Sequence, residues 1–170
     1  MRLSPLPLLA LLAVAGCDDD RPKQLPFAPV EVAPNELSAY VSVSDPNPAI
    51  GSQFTVRVRT LRGSAVGAVG SFTIRLGFDT TRLRFREAAR SENGMVMANV
   101  AQPGLLIAAG ASASGFANDE LLVATFTALA GDAIQSLTLA VTELNSATFA
   151  DQREQMRVLP GKFQDPKRLK

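Results

Sequence analysis

Two stretches decide the fold: Gln53-Phe54-Thr55-Val56-Arg57-Val58-Arg59 and Phe72-Thr73-Ile74-Arg75-Leu76-Gly77-Phe78. In the first, Phe54, Val56 and Val58 alternate with Thr55, Arg57 and Arg59. In the second, Phe72, Ile74, Leu76 and Phe78 alternate with Thr73, Arg75 and Gly77. Successive side chains of an extended strand point to opposite faces, so strict alternation predicts strands with one face on a core and one toward solvent. Phe54, Phe72, Ile74, Phe78, Leu83, Phe85, Phe126 and Leu139 are predicted to be buried, and Arg57, Thr73, Arg75 and Arg84 to be exposed.

The same period extends outward from these stretches. Ala39, Val41 and Val43 alternate with serines and Tyr40; Leu83 and Phe85 alternate with Arg82, Arg84 and Arg86; Leu137, Leu139 and Val141 alternate with Ser136 and Thr138. Leu105–Ala109 and Leu121–Ala130 are apolar throughout. Periodicity does not separate strand from helix there, but Gly104, Gly110 and Gly131 at their ends and their β-branched content favour strands. Short runs at Met95–Met97 and Met156–Leu159 bring the number to about nine. Turn sequences divide them, among them Asp45-Pro46-Asn47-Pro48, Glu92-Asn93-Gly94 and Gln102-Pro103-Gly104. Short strands at this spacing predict an all-β sandwich with jelly-roll topology.

The N-terminus reads as an address. Residues 6–16 form an apolar run of the length of a signal peptide's central region, far short of the ~20 residues that span a bilayer. Leu12-Ala13-Val14-Ala15-Gly16-Cys17 resembles the lipobox of bacterial lipoproteins, and Cys17 is the only cysteine of the chain. The resemblance implies cleavage after residue 16, acylation of the Cys17 thiol, and a lipid-anchored protein on the periplasmic or outer face of a bacterial envelope. Asp18, Asp19 and Asp20 resemble an enteric inner-membrane retention signal, and read equally as a solvated end to the apolar run. Pro22, Pro26, Pro29 and Pro34 make residues 17–37 an extended tether. Residues 38–160 are the predicted domain, and residues 161–170 a basic tail.

Composition narrows the chemistry. Among 170 residues, 17 Lys and Arg stand against 16 Asp and Glu, which argues against a nucleic-acid binder. The chain has no histidine, so the commonest general base and metal ligand are missing. One cysteine excludes an intramolecular disulfide or a cysteine metal cluster. The domain's carboxylates are scattered over turns with no spacing that singles out a glycosidase pair, so no catalytic residue is assigned and no cofactor or metal is expected. Asn118-Asp119-Glu120 has oxygens that suit calcium but lacks a second cluster, and a polar turn is the simpler reading. Sugar sites stack rings on exposed aromatics; with no Trp and one Tyr, only Phe116 and Phe149 fall in loops, where either also serves to plug a sandwich end.

Charge is segregated along the chain. Residues 57–90 hold eight arginines against Asp79 and Glu87, while residues 91–150 hold five acids and no Lys or Arg. Alternation puts Arg57, Arg59, Arg75 and Arg84 on outward positions. They read either as a solvated face that discourages edge pairing or as a partner-binding face whose planar guanidiniums suit carboxylates.

Four segments, in order, resemble the cohesin domain, the sandwich that binds dockerin modules in cellulosomes. They are Ala49–Val56 with its Gly turn into Phe-Thr-Val, Gly77-Phe78-Asp79-Thr80-Thr81-Arg82-Leu83, Leu122–Ala128, and Gly131–Val141 with Glu143-Leu144. Thr80 stands where the family usually has Pro. The resemblance spans roughly residues 38–160 and implies a cohesin-like sandwich acting as a non-catalytic protein–protein interaction module, with a dockerin-like partner as one expectation. The alternative is a carbohydrate-binding module or an accessory protein on an envelope polysaccharide. No dockerin-contact motif carries over residue by residue.

Overall fold

The computed structural model describes residues 32–91, 94–116 and 119–164. The signal segment, Cys17, most of the tether, Glu92, Asn118 and the last six residues lie outside the described residues.

Nine strands form two sheets. They are β1 (Leu37–Val43), β2 (Gln53–Arg62), β3 (Val69–Gly77), β4 (Leu83–Ala88), β5 (Met95–Gln102), β6 (Leu105–Ala111), β7 (Glu120–Ala128), β8 (Thr138–Ser146) and β9 (Met156–Gln164). One sheet has the order β4-β7-β2-β1-β9 and the other β5-β6-β3-β8. All neighbours are antiparallel except β1 and β9, which run parallel. Short 3-10 turns lie at Ala133–Ser136 and Arg153–Gln155.

The inner rows of both sheets make the core. Phe54, Val56 and Val58 of β2 face Phe72, Ile74 and Leu76 of β3 across it, all buried as alternation predicts. Phe126 of β7 is the aromatic hub, with Phe78 and Phe85 edge-on at 5.2 and 5.6 Å and Phe54 at 6.4 Å. Phe72 meets Phe116 edge-on at 5.1 Å, so the Phe116 ring plugs the sandwich end. Gly110 makes room for this pair: a β-carbon there would lie 2.6 Å from the Phe72 ring and 3.0 Å from Phe116.

Three predictions need amending. Phe78, Phe85 and Leu139 are half-buried rather than buried, because they sit toward the open margins of the sandwich, and Arg57 and Thr73 are half-buried rather than exposed, Arg57 lying against Glu120 and Thr73 against Glu143. Ser38 and Ser42, on the outward row of β1, are buried, since a small side chain is overshadowed by longer neighbours at the same level, Leu61 and Arg57 of β2. The domain also runs past residue 160: β9 continues to Gln164, pairing Lys162, Phe163 and Gln164 with β1. A bulge accommodates Pro160-Gly161, and the register shifts between Ala39 and Val41. At the other end, residues 33–36 are fastened to the domain by Gly63 N–H to Glu36 O (2.8 Å) and Ala65 N–H to Pro34 O (2.9 Å).

The turn Phe78–Leu83 closes as an Asx turn. The Asp79 carboxylate accepts from the Thr81 amide (2.8 Å) and hydroxyl (2.7 Å), and the Leu83 N–H returns to Asp79 O at 2.8 Å. Those Thr81 hydrogen bonds, aided by Arg82, hold the Asp79 carboxyl below its ordinary pKa.

Candidate functional site

The arginines predicted to share one face lie on opposite sides of the molecule. Arg57 and Arg59 are on β2 and Arg84 is on β4, all in the five-stranded sheet. Arg75 is on β3, in the four-stranded sheet. Alternation places each of them outward correctly, but consecutive strands of a sandwich can join different sheets, and β2 and β3 do.

The segregated charges meet through the fold. Arg57 pairs with Glu120 at 3.1 Å, Arg62 with Asp119, and Arg82 with Asp132. The five-stranded sheet juxtaposes β2 and β7, which brings the basic stretch against the acidic one. Arg57 and Arg62 therefore satisfy the protein's own surface rather than awaiting a partner. The same pairs occupy the carboxylates of Asp119 and Glu120, the oxygens considered for calcium. Among the described residues no group of three His, Cys, Asp or Glu is arranged to hold a metal ion.

The outer face of the four-stranded sheet carries no ion pair among the described residues. Its registers lay out three rows across the strands: Met95, Ala111, Ser71, Asn145; Met97, Ala109, Thr73, Glu143; and Asn99, Ile107, Arg75, Ala140. At the β5 side it is apolar and small, with Met95 and Met97 70% and 71% exposed. At the β8 side it is a hydrogen-bonded polar ladder. Thr73 Oγ1 donates to Glu143 at 3.0 Å, and Asn145 Nδ2 donates to Glu143 (3.1 Å) and to Ser71 Oγ (3.0 Å). This ladder occupies the single carboxylate of the three rows. Arg75 stands between Ile107 and Ala140, exposed and with no ion pair among the described residues. Of the four arginines singled out in the sequence, Arg75 alone belongs to this surface. The face itself left little trace in the sequence, because Ala, Ser and Thr at outward positions look like filler until the strands are paired.

Phe149 is 90% exposed at the β8–β9 connection, on a left-handed backbone with φ 64°. Its turn is held by Ser146, whose Oγ accepts from the Ala150 amide at 3.0 Å and whose carbonyl accepts from the Phe149 amide at 2.9 Å. Nearby, hydrogen bonds from the Arg153 side chain, then from its backbone, lower the Asp151 carboxyl to about 2.

No protein-family model matches the chain, and no curated protein matches it in sequence. Solved structures do. A non-cellulosomal cohesin from the archaeon Archaeoglobus fulgidus superposes with a TM-score of 0.58 at 14% identity, covering 78% of this chain and 94% of that one. A type II cohesin in a cohesin–X-dockerin complex of Acetivibrio cellulolyticus gives 0.57 at 12% identity, over 74% and 97%. The sixth cohesin of that organism's scaffoldin B, in complex with a Cel5 dockerin, gives 0.55 at 15% identity, over 76% and 99%. The fold is thus that of the cohesin-like β-sandwiches, with nine strands in two sheets.

Proposed function

We infer that this chain is a non-catalytic, membrane-anchored module that binds a protein partner on the outer face of the β5-β6-β3-β8 sheet. The observation that carries the reading is the chemistry of that face. Its three rows carry one carboxylate, Glu143, already hydrogen-bonded, and one guanidinium, Arg75, with no ion pair among the described residues. Docking on such a surface strips water from few charges, so desolvation takes little from the binding free energy. Met95 and Met97 supply adaptable apolar area at one margin, and Arg75 selects a carboxylate or carbonyl acceptor near the middle. Cohesins of the same fold have been captured in complexes with dockerins, which supports a dockerin-like partner.

The lipobox ending at Cys17 and the proline tether behind it support anchoring in a bacterial envelope. An envelope polysaccharide has less support as the ligand, since the three rows of this face carry no aromatic ring and the exposed Phe149 lies off it, at the β8–β9 connection.

The test is capture of the partner from envelope extract. Ala109→Arg and Arg75→Glu, both at exposed positions, should abolish it with Tm unchanged, and Arg59→Glu on the opposite sheet should not. Loss with Arg59→Glu alone would overturn the assignment of the face. Mass spectrometry should find acyl chains on Cys17 of the native protein; an unmodified thiol there would refute the anchor.

A further inference from the structure

The flank where the edge strands β4 and β5 adjoin is built differently from the other margin of the sandwich. Three of the four sheet edges carry features that blunt strand pairing. β4 has Arg84, Arg86 and Glu87; β9 has Arg157, Pro160 and a bulge; β8 has Glu143 and is bridged at Asn145 by Asp151. β5, Met-Val-Met-Ala-Asn-Val-Ala-Gln, has no charge and no proline, and its far side pairs with no strand among the described residues. Beside it opens a groove of about 310 Å³ lined by Phe78, Leu83, Phe85, Val100 and Leu129, with Arg84 in its wall. Arg84 is exposed and forms no ion pair among the described residues.

We propose that this flank captures an extended segment of another protein by strand addition to β5, with an apolar side chain of that segment in the groove and an acidic one against Arg84. A strand laid along β5 continues the four-stranded sheet past its present margin. Every second side chain of that strand then points to the inner side, over the half-buried rings of Phe78 and Phe85 and over Val100, which is 38% exposed. Main-chain pairing supplies affinity without regard to sequence, and the groove with Arg84 supplies the choice.

Charge decides between this occupant and a second copy of the chain. A symmetric β5–β5 pairing would bring toward each other two flanks of net positive charge, Arg84 and Arg86 against Glu87, whereas an acidic segment meets its complement in Arg84. The site uses the edge and inner side of β5, whereas the proposed function uses the outer side chains of the sheet, so failure of the peptide to bind would leave partner capture on the outer face standing.

The probe is a fluorescein-labelled nonapeptide of alternating Val and Thr ending in two Asp, titrated by anisotropy against the full chain in nanodiscs. Two companions are a twin ending in two Lys and an Asp peptide N-methylated along one edge. The Asp peptide should saturate and bind about fivefold more tightly than the Lys twin, as an exposed charge pair allows. N-methylation should abolish binding, and Arg84→Glu should reverse the order of the Asp and Lys peptides with Tm unchanged. Three results would overturn the proposal: no saturation by the Asp peptide at about 1 mM, equal binding of the N-methylated peptide, or sedimentation of a dimer that Met97→Lys dissociates, which gives the flank to a second copy.

Discussion

Gly110→Ala tests the packing of the sandwich end. Gly110 lies on the inner row of β6, opposite Phe72 of β3 and Val96 of β5. An added methyl group would sit 2.6 and 2.8 Å from two carbons of the Phe72 ring and 3.0 Å from Phe116. Ordinary carbon contacts are about 3.5–4 Å, so the ring must retreat by close to 1 Å. Phe72 is 1% exposed and held edge-on by Phe116, so it has no open side to retreat into. Overpacking of this kind costs about 1–3 kcal/mol. Removing a glycine stabilises by about 0.4–1 kcal/mol through the unfolded chain. The net loss should be about 1–2 kcal/mol, read as a lower urea midpoint by far-UV circular dichroism with an unchanged slope. Phe72→Leu, itself destabilising, removes the obstructing ring atoms, so Gly110→Ala should cost little in that background, a coupling above about 0.5 kcal/mol. Equal cost of Gly110→Ala in both backgrounds, or a gain in stability in the wild type, would refute this account of the core.

Other expectations concern charge and strain. Asp79 and Asp151 have lowered carboxyl pKa values in the folded state, so their contribution is complete above the unfolded value of about 3.9 and is lost as pH falls through the folded values, about 2 for Asp151. With no histidine to titrate, Tm should be flat from pH 7 to about 5 and fall below about 4, more shallowly in Asp79→Asn/Asp151→Asn; a step between pH 5 and 7 would contradict this. Phe149→Asn should raise stability by roughly 0.5 kcal/mol, because Asn tolerates the left-handed backbone and the ring is exposed; a fall in Tm would show that the ring packs within the fold. Arg57→Ser should cost roughly 0–1 kcal/mol, with a loss that shrinks in high salt as the Glu120 pair is screened; a salt-independent loss would point to packing of the arginine stem instead.

Local physics made most of the strands legible. β2 and β3 each bury one face, so period two is written plainly into them, and the Asp79 turn follows from one short carboxylate two residues before Thr81. β5 reads only as Met95–Met97 because it buries its inner row only in part, at Val96 and Ala98, and its second half, from Asn99 to Gln102, is exposed throughout. β9 reads short because Pro160-Gly161 stops a regular strand, and the bulge that accommodates it depends on pairing with β1, more than a hundred residues away in sequence. The candidate site was less legible for the same reason. Outward direction is a local property, and Arg57, Arg59, Arg75 and Arg84 all have it; sheet membership and the acids that meet Arg57, Arg62 and Arg82 are set by long-range pairing. The neutral face around Arg75 exists only once β5, β6, β3 and β8 lie side by side.

The central claim, that a protein partner docks on that face, is tested most directly by site-specific photocrosslinking in living cells. A benzophenone amino acid is placed at Ala109, in the middle row beside Met97 and Thr73, or at Thr55, on the outer row of the opposite sheet. Irradiation should give one discrete higher-mass adduct from the Ala109 position, containing a second protein by mass spectrometry, and none from Thr55. An adduct confined to Thr55, or none from Ala109 under conditions where the chain is folded and expressed, would contradict the account.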